Sequence, residues 1–288
     1  MTSADEIRSY YAQPAPMTAL PAALGDASPP TVEGVFALVQ GVMMHRFWAG
    51  AYGETLSPER DGQAQLRSAT DMVAAIAAID PAPLTQPRPP SRRLIGVCRH
   101  FSVLATALLR RRGVPARARC GFATYFDGTP VDHWVVEYWD SQAWKLGDAQ
   151  LDDVQTRALK PDFDPLDVPR DRFLVAGEAW RRCRAGEADP ASFGIMEFRG
   201  LWFVGGNVVR DLAALNKAEM LPWDVWGLAP GSDDAFTPAA LGALDEAARL
   251  TRSPDDSFDE LRRAYEASGD LRVPATVLNA QTGLREAA

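Results

Sequence analysis

Residues 96–117 read GVCRHFSVLATALLRRRGVPAR, and this stretch decides the fold. After Cys98, the residues Phe101, Leu104, Ala105 and Leu108 recur at helical spacing and mark one inward face. Gly113 supplies a left-handed stop, and Pro115 follows two residues later. The spacing predicts a helix over 98–112, with Cys98 at its start.

Working outward toward the C-terminus, the period changes from helical to alternating. Residues 116–126, 131–139 and 144–146 read as strands. Asp127-Gly128-Thr129-Pro130 and Asp140-Ser141-Gln142-Ala143 are the turns between them, which suits an antiparallel meander. A two-residue loop at Ser141-Gln142 would pair Asp140 with Ala143. Continuing that ladder pairs Val136 with Gly147 and Val135 with Asp148. His133, Val135 and Glu137 share a strand face, so Asp148 becomes a diagonal neighbour of His133, at about 7–8 Å in an ideal ladder. A longer loop would shift this register.

Toward the N-terminus the signals are helical. Residues 1–30 are rich in Pro and Ala and read as an irregular lead-in. Thr31 is a plausible N-cap for a helix through Phe36, Val39, Met43 and Phe47. Ser57-Pro58 opens a second helix that the pattern carries to Ile79. Residues 81–90, PAPLTQPRPP, hold five prolines and must run extended, as a linker or as a strap across the core. Beyond Asp153 the chain is loop-rich as far as Pro169. Helical patterns follow at 172–185, 204–220, 238–251 and 257–267, and residues 283–288 read as a frayed tail. The expected architecture is a single α+β domain over 1–288. It has a helical N-terminal part (31–90), a core (94–153) and a mostly helical C-terminal part (154–288).

Composition narrows the class. The chain has 288 residues, is 47% hydrophobic and carries a formal net charge of −8. That balance, with no long basic block, argues against a nucleic-acid partner. Three cysteines without regular spacing make no disulfide framework and suggest a reducing compartment. The N-terminus lacks the basic start and apolar run of a signal peptide. The apolar stretch 34–44 is too short to span a bilayer. The expectation is a cytoplasmic protein with no membrane partner.

Three cysteines and three histidines allow the candidate chemistry to be enumerated. A cysteine nucleophile needs its thiolate form, which a helix N-terminus and a nearby histidine favour. Cys98 begins a helix; Cys120 is mid-strand and Cys183 lies inside a late helix. His100 is two residues along the same helix, about 200° around the axis from Cys98, and faces away. His45 could approach only through tertiary packing. His133 stands on a strand that the meander can carry back, and Asp148 could fix its tautomer. Arg99, His100, His45 and Trp134 are candidate substrate contacts. The plainer readings are an inert buried thiol for Cys98, a backbone-bonded histidine for His133, a loop cap for Asp148 and a solvated helix charge for Arg99. A metal site is disfavoured because no tight Cys-x-x-Cys pair exists, and no cofactor is called for. Asn207, Arg210 and Asp211 read as a structural polar cluster rather than a pocket. The tryptophans at 180, 202, 223 and 226 read as core.

Several of these residues occur in a recognisable order: Gly96-Val97-Cys98, Leu108-Leu109-Arg110, Gly113-Val114-Pro115-Ala116-Arg117, His133-Trp134, Trp144 and Asp148. Over residues 94–153 this order resembles the core of the transglutaminase-like superfamily. The resemblance implies a papain-like α+β fold with Cys98, His133 and Asp148 as a catalytic triad. It implies acyl transfer on a small-molecule or peptide amide or ester, by hydrolysis or transamidation. The backbone N–H of Cys98 would be one oxyanion donor. The alternative is a catalytically silent binding protein of the same fold.

Overall fold

The computed structural model describes residues 2–24, 29–229 and 231–288. In chain order its elements are α1 (Ala4–Ala12), α2 (Val32–Val42), β1 (Met43–His45), α3 (Pro58–Asp61), α4 (Ala69–Ile79), β2 (Leu94–Gly96), α5 (Cys98–Arg111), β3 (Ala116–Ala123), β4 (Val131–Trp139) and β5 (Trp144–Gly147). Then come α6 (Asp153–Leu159), β6 (Phe173–Val175), α7 (Ala176–Arg184), β7 (Gly194–Ile195), β8 (Phe198–Arg199), α8 (Leu201–Leu215), β9 (Asp224–Val225), α9 (Pro238–Arg252), α10 (Phe258–Ala267), β10 (Thr276–Asn279) and β11 (Leu284–Ala287). The fold is α+β, with sheets of mixed strand direction. The chain divides into two compact units. One, here the α5 unit, comprises Arg8–Ala118 and Val135–Pro169; the other, the α8 unit, comprises Met1–Ile7, Arg119–Trp134 and Arg170–Ala288. β3 and β4 each run from one unit into the other.

In the α5 unit, α5 is buried all round from Cys98 to Arg110, as befits a central helix. Phe101, Leu104 and Leu108 join α2, α4 and the strand residues Ala116, Val136 and Tyr138 in one apolar core. β4 and β5 pair antiparallel with Val136 opposite Gly147 and Trp139 opposite Trp144, the register expected from a two-residue loop. The Asp140 N–H donates to the Ala143 carbonyl at 3.1 Å, and Ser141 takes a positive φ of 84° to make the turn. Arg117 pairs with Glu137 inside this unit (2.7 Å), with the guanidinium stacked 4.0 Å above the Trp144 ring.

The N-terminal third of the chain corrects several expectations. α1 stands in the supposedly irregular lead-in, its first turn held by the Ser3 hydroxyl and the Glu6 carboxylate. Thr31 does cap α2, accepting from the Gly34 N–H at 3.1 Å, but the helix stops at Val42. The apolar period through Phe47 is not continued because Met43–His45 pair in parallel with Leu94–Gly96. The single helix expected over 58–79 is broken. Ser57 caps α3, a 3-10 turn covers Gly62–Gln65, and Ser68 caps a new helix, α4. The proline segment is a strap: the Arg88 N–H donates to the Gly41 carbonyl on α2, and Leu84 is buried.

In the α8 unit, α7, α8 and α9 pack on one another, and α8 is buried from Phe203 to Leu215. The helix expected from 172 starts instead at Ala176, because Phe173–Val175 form a strand against Gly121–Ala123. Gly121 permits this, since a Cβ there would lie 2.1 Å from the Leu174 carbonyl oxygen. Helix α8 covers Leu201–Leu215 rather than 204–220. The expected frayed tail is strand β11, paired with β10. The polar cluster is structural. Asp211 takes a two-pronged ion pair from Arg119 (3.0 and 2.9 Å), and Asn207 bonds Asp132. Among the described residues no helix is long and apolar enough to cross a membrane.

Candidate active site

β2 delivers the chain to Cys98. Leu94 and Ile95 are buried, and His45 on β1 lies opposite Gly96. Gly96 has no room for a side chain: a Cβ would meet the His100 Cβ and the Met43 Cε, both at 2.9 Å. Val97 follows in extended conformation (φ −118°, ψ 174°) as the N-cap of α5. A valine offers the helix no side-chain acceptor. His100, the third helical residue, supplies the reciprocal bond of a capping box, its Nδ1 accepting from the Val97 N–H at 3.2 Å. Cys98 is the first helical residue and is 6% exposed. The first turn holds no acidic residue.

Arg99 is fully buried, with Nη1 3.5 Å from the Leu66 carbonyl, so the solvated-charge reading is overturned. His100 is fully buried too. Burial, and then the neighbouring Arg99 guanidinium, hold its pKa down to about 3, against the opposing pull of the Leu66 backbone. Its ring is therefore neutral near pH 7. Because Nδ1 accepts a hydrogen bond, Nε2 carries the proton. His45 is buried at the end of β1; its Nδ1 accepts from the Phe47 N–H, and its ring lies 6.3 Å from Phe101.

Asp148 follows β5 and is fully buried. Its N–H leaves the ladder and donates to the Pro165 carbonyl at 2.7 Å. Its Oδ1 accepts from the Gln150 N–H at 2.9 Å, which is the loop-capping contact of the plainer reading. Cys98, Arg99, His100, His45 and Asp148 thus all belong to the α5 unit.

His133 and Trp134 belong to the α8 unit. The His133 ring meets Phe126, Tyr125 and Phe173 edge-on, at 4.9, 5.9 and 6.3 Å between centroids. Trp134 is fully buried, and among the described residues its indole N–H has no hydrogen-bond partner. Asp132 precedes them, its carboxyl pushed up in pKa by burial against the bond it receives from Asn207. The other cysteines have ordinary addresses. Cys120 lies within β3, and burial pushes the Cys183 thiol on α7 up to about 11. Sequence reading missed the capping role of His100. Its signal was a histidine at the third helical position after an apolar N-cap, where Ser/Thr-x-x-Glu/Gln is the pattern normally sought.

Residues 54–149 match the family model of the Transglutaminase-like superfamily. That window includes Cys98, His133 and Asp148. The match supports a cysteine-dependent enzyme in general terms. Among solved structures the chain is similar to one from Cytophaga hutchinsonii described as a "Putative Cysteine Protease", at 17% identity and a TM-score of 0.26. The similarity covers 60% of this chain and 46% of that one, so the chain spans less than half of that protein's length. No curated protein matches the chain.

Proposed function

We propose that the chain is an acyl-transfer enzyme for an amide or ester, with Cys98 as nucleophile, His133 as general base and acid, and Asp148 as the group that orients His133. The observation that carries this reading is the start of α5. A thiol occupies the first helical position, the N-cap has no side-chain acceptor, and no carboxylate stands in the first turn. A thiolate there gains from the helix dipole without competition. The β4–β5 register adds support: Val136 pairs with Gly147 as the two-residue loop requires, and β5 ends one residue short of Asp148.

In the reaction, the Cys98 Sγ attacks the substrate carbonyl as His133 takes the thiol proton. The C–S bond forms, and the carbonyl oxygen becomes an oxyanion facing the Cys98 backbone N–H. Collapse expels an amine or alcohol, which receives the proton from His133, and leaves a thioester on Cys98. Water or an amine then attacks that thioester with His133 again as base, regenerating the thiol. Hydrolysis and transamidation use the same three side chains and differ in the acceptor admitted.

The test is to incubate the full chain with a panel of aryl esters and peptide amides and to measure intact mass after acid quench. An acyl adduct mapping to Cys98 is expected. It should be absent in Cys98→Ala and form roughly 100-fold or more slowly in His133→Ala. An adduct that persists in Cys98→Ala would overturn the assignment.

A further inference from the structure

We propose that His100 is a positioning residue for Cys98: a neutral imidazole that ties down the first turn of α5 and keeps negative charge away from the sulfur. This rests on Cys98 being the nucleophile.

The geometry is specific. Val97 and His100 are joined twice: the Val97 N–H donates to the His100 Nδ1 at 3.2 Å, and the His100 N–H donates to the Val97 carbonyl at 2.8 Å. Cys98 stands between these two residues; the second bond holds the carbonyl of the Val97–Cys98 peptide, and the first holds the N–H of Val97, the residue before Cys98. The His100 side chain packs against Gly96, where a Cβ would come within 2.9 Å of the His100 Cβ and 3.1 Å of its Cγ. His45 is paired with Gly96 in the β1–β2 ladder.

The chemistry explains the choice of side chain. The usual residue for this reach-back bond is Glu or Gln at the third helical position. A glutamate would place a full negative charge within one turn of Cys98, where it would compete with a thiolate for the same helix N-terminus. An aliphatic residue would leave the Val97 N–H unsatisfied in a buried place, which carries a desolvation cost. A neutral imidazole meets both demands. The ionisable groups that act on His100 are Arg99 from its own helix and His45 from β1. Both are cationic when charged, and with burial they hold the ring in the neutral form that accepts the bond. His100 thus touches no reacting atom; it acts through the backbone of its helix.

Three full-length variants separate these demands: His100→Gln keeps a neutral acceptor, His100→Glu keeps an acceptor but adds charge, and His100→Ala removes the acceptor. The readouts are the rate of Cys98 alkylation by iodoacetamide between pH 5 and 9, exchange of the Val97 amide hydrogen, and thermal melting to establish folding. His100→Gln is expected to stay within about 2-fold of wild type throughout. His100→Glu should slow alkylation at pH 7 by roughly 3- to 10-fold and move the profile to higher pH. His100→Ala should speed Val97 exchange by about 10-fold and slow alkylation without moving the profile. Superimposable alkylation profiles in all four proteins would overturn the inference while leaving the catalytic reading intact. Should His100→Glu fail to fold, the Gln and Ala variants decide: equal alkylation and equal Val97 exchange in the two overturns it. If wild-type Cys98 alkylates no faster than a free thiol, the catalytic reading itself fails, and the inference falls with it.

Discussion

Two helices of the α5 unit begin in opposite ways. α4 starts at the surface on Ser68, whose hydroxyl accepts from the Asp71 N–H at 3.1 Å and donates to the Asp71 carboxylate at 2.6 Å. α5 starts in the interior on Val97, with a histidine as its reach-back residue and no carboxylate in the first turn. α4 uses the commonest solution for unsatisfied helical N–H groups, and its acid also complements the dipole. α5 forgoes both gains at the one helix start that carries a cysteine. An N-terminus left without an acid is not optimised for helix stability, and the residue that stands there is Cys98.

The largest expected effect that separates the two helix starts is on acid unfolding. His100 has a folded pKa of about 3 against an ordinary value of 6.5. Its burial as a neutral ring is fully compatible with folding above pH 6.5. As pH falls below 6.5 the unfolded chain takes up a proton that the folded chain refuses, so stability drops. The slope from this group is roughly 1.4 kcal/mol per pH unit until about pH 3. Urea midpoints of wild type and His100→Gln should therefore diverge between pH 6 and 4, with the variant losing less. Parallel curves would mean that His100 is not held neutral by the fold.

A smaller effect is expected from crowding. Gly96→Ala must push a methyl against His100 and Met43, both buried, and should cost roughly 1–3 kcal/mol in urea unfolding. Gly62, in the turn that leads toward α4, has nothing within 4 Å and a φ of −61°. Gly62→Ala should be neutral or gain up to about 1 kcal/mol. Equal effects at the two glycines would deny that the start of α5 is specially packed. Ser68→Ala completes the series: it should cost about 1 kcal/mol and leave Cys98 alkylation unchanged.

What was legible in the sequence divides along the same line. Local signals were readable where one residue type has one use. Gly113 and Pro115 closed α5, Thr31 capped α2, and the Asp140–Ala143 turn fixed the register that leads to Asp148. Ser68 was passed over because apolar residues on both sides kept a helical period that runs through the real break at 62–68. The β1–β2 and β10–β11 pairings escaped because strands of three or four residues carry too little alternation. Arg119–Asp211 spans 92 residues, and no local pattern encodes such a partner. At the candidate site, the cysteine, the histidines and the aspartate could be enumerated from scarcity alone. The neutral state of His100 could not, because it follows from burial and from Arg99 and His45 around it.

The smallest effect is the sharpest test of the comparison, because it turns α5 toward α4 by one atom. Val97→Thr keeps volume and β-branching and adds a hydroxyl at the N-cap. That oxygen can accept from a first-turn N–H, as Ser68 does in α4, for a gain of up to about 1 kcal/mol. Val97 is only 5% exposed, so burying the hydroxyl takes back a similar amount, and stability should change by no more than about 0.5 kcal/mol. The first-turn N–H groups that favour a thiolate would then be shared with a neutral oxygen. Alkylation of Cys98 should slow by about 2-fold, in keeping with loss of part of a dipole effect. Ser68→Val makes the reverse change at α4, and should cost about 1 kcal/mol while the thiol keeps its rate. If Val97→Thr instead stabilises by the full cap energy and the thiol is unaffected, the missing cap of α5 has no chemical purpose. The contrast with α4 would then record only the difference between a buried helix start and an exposed one.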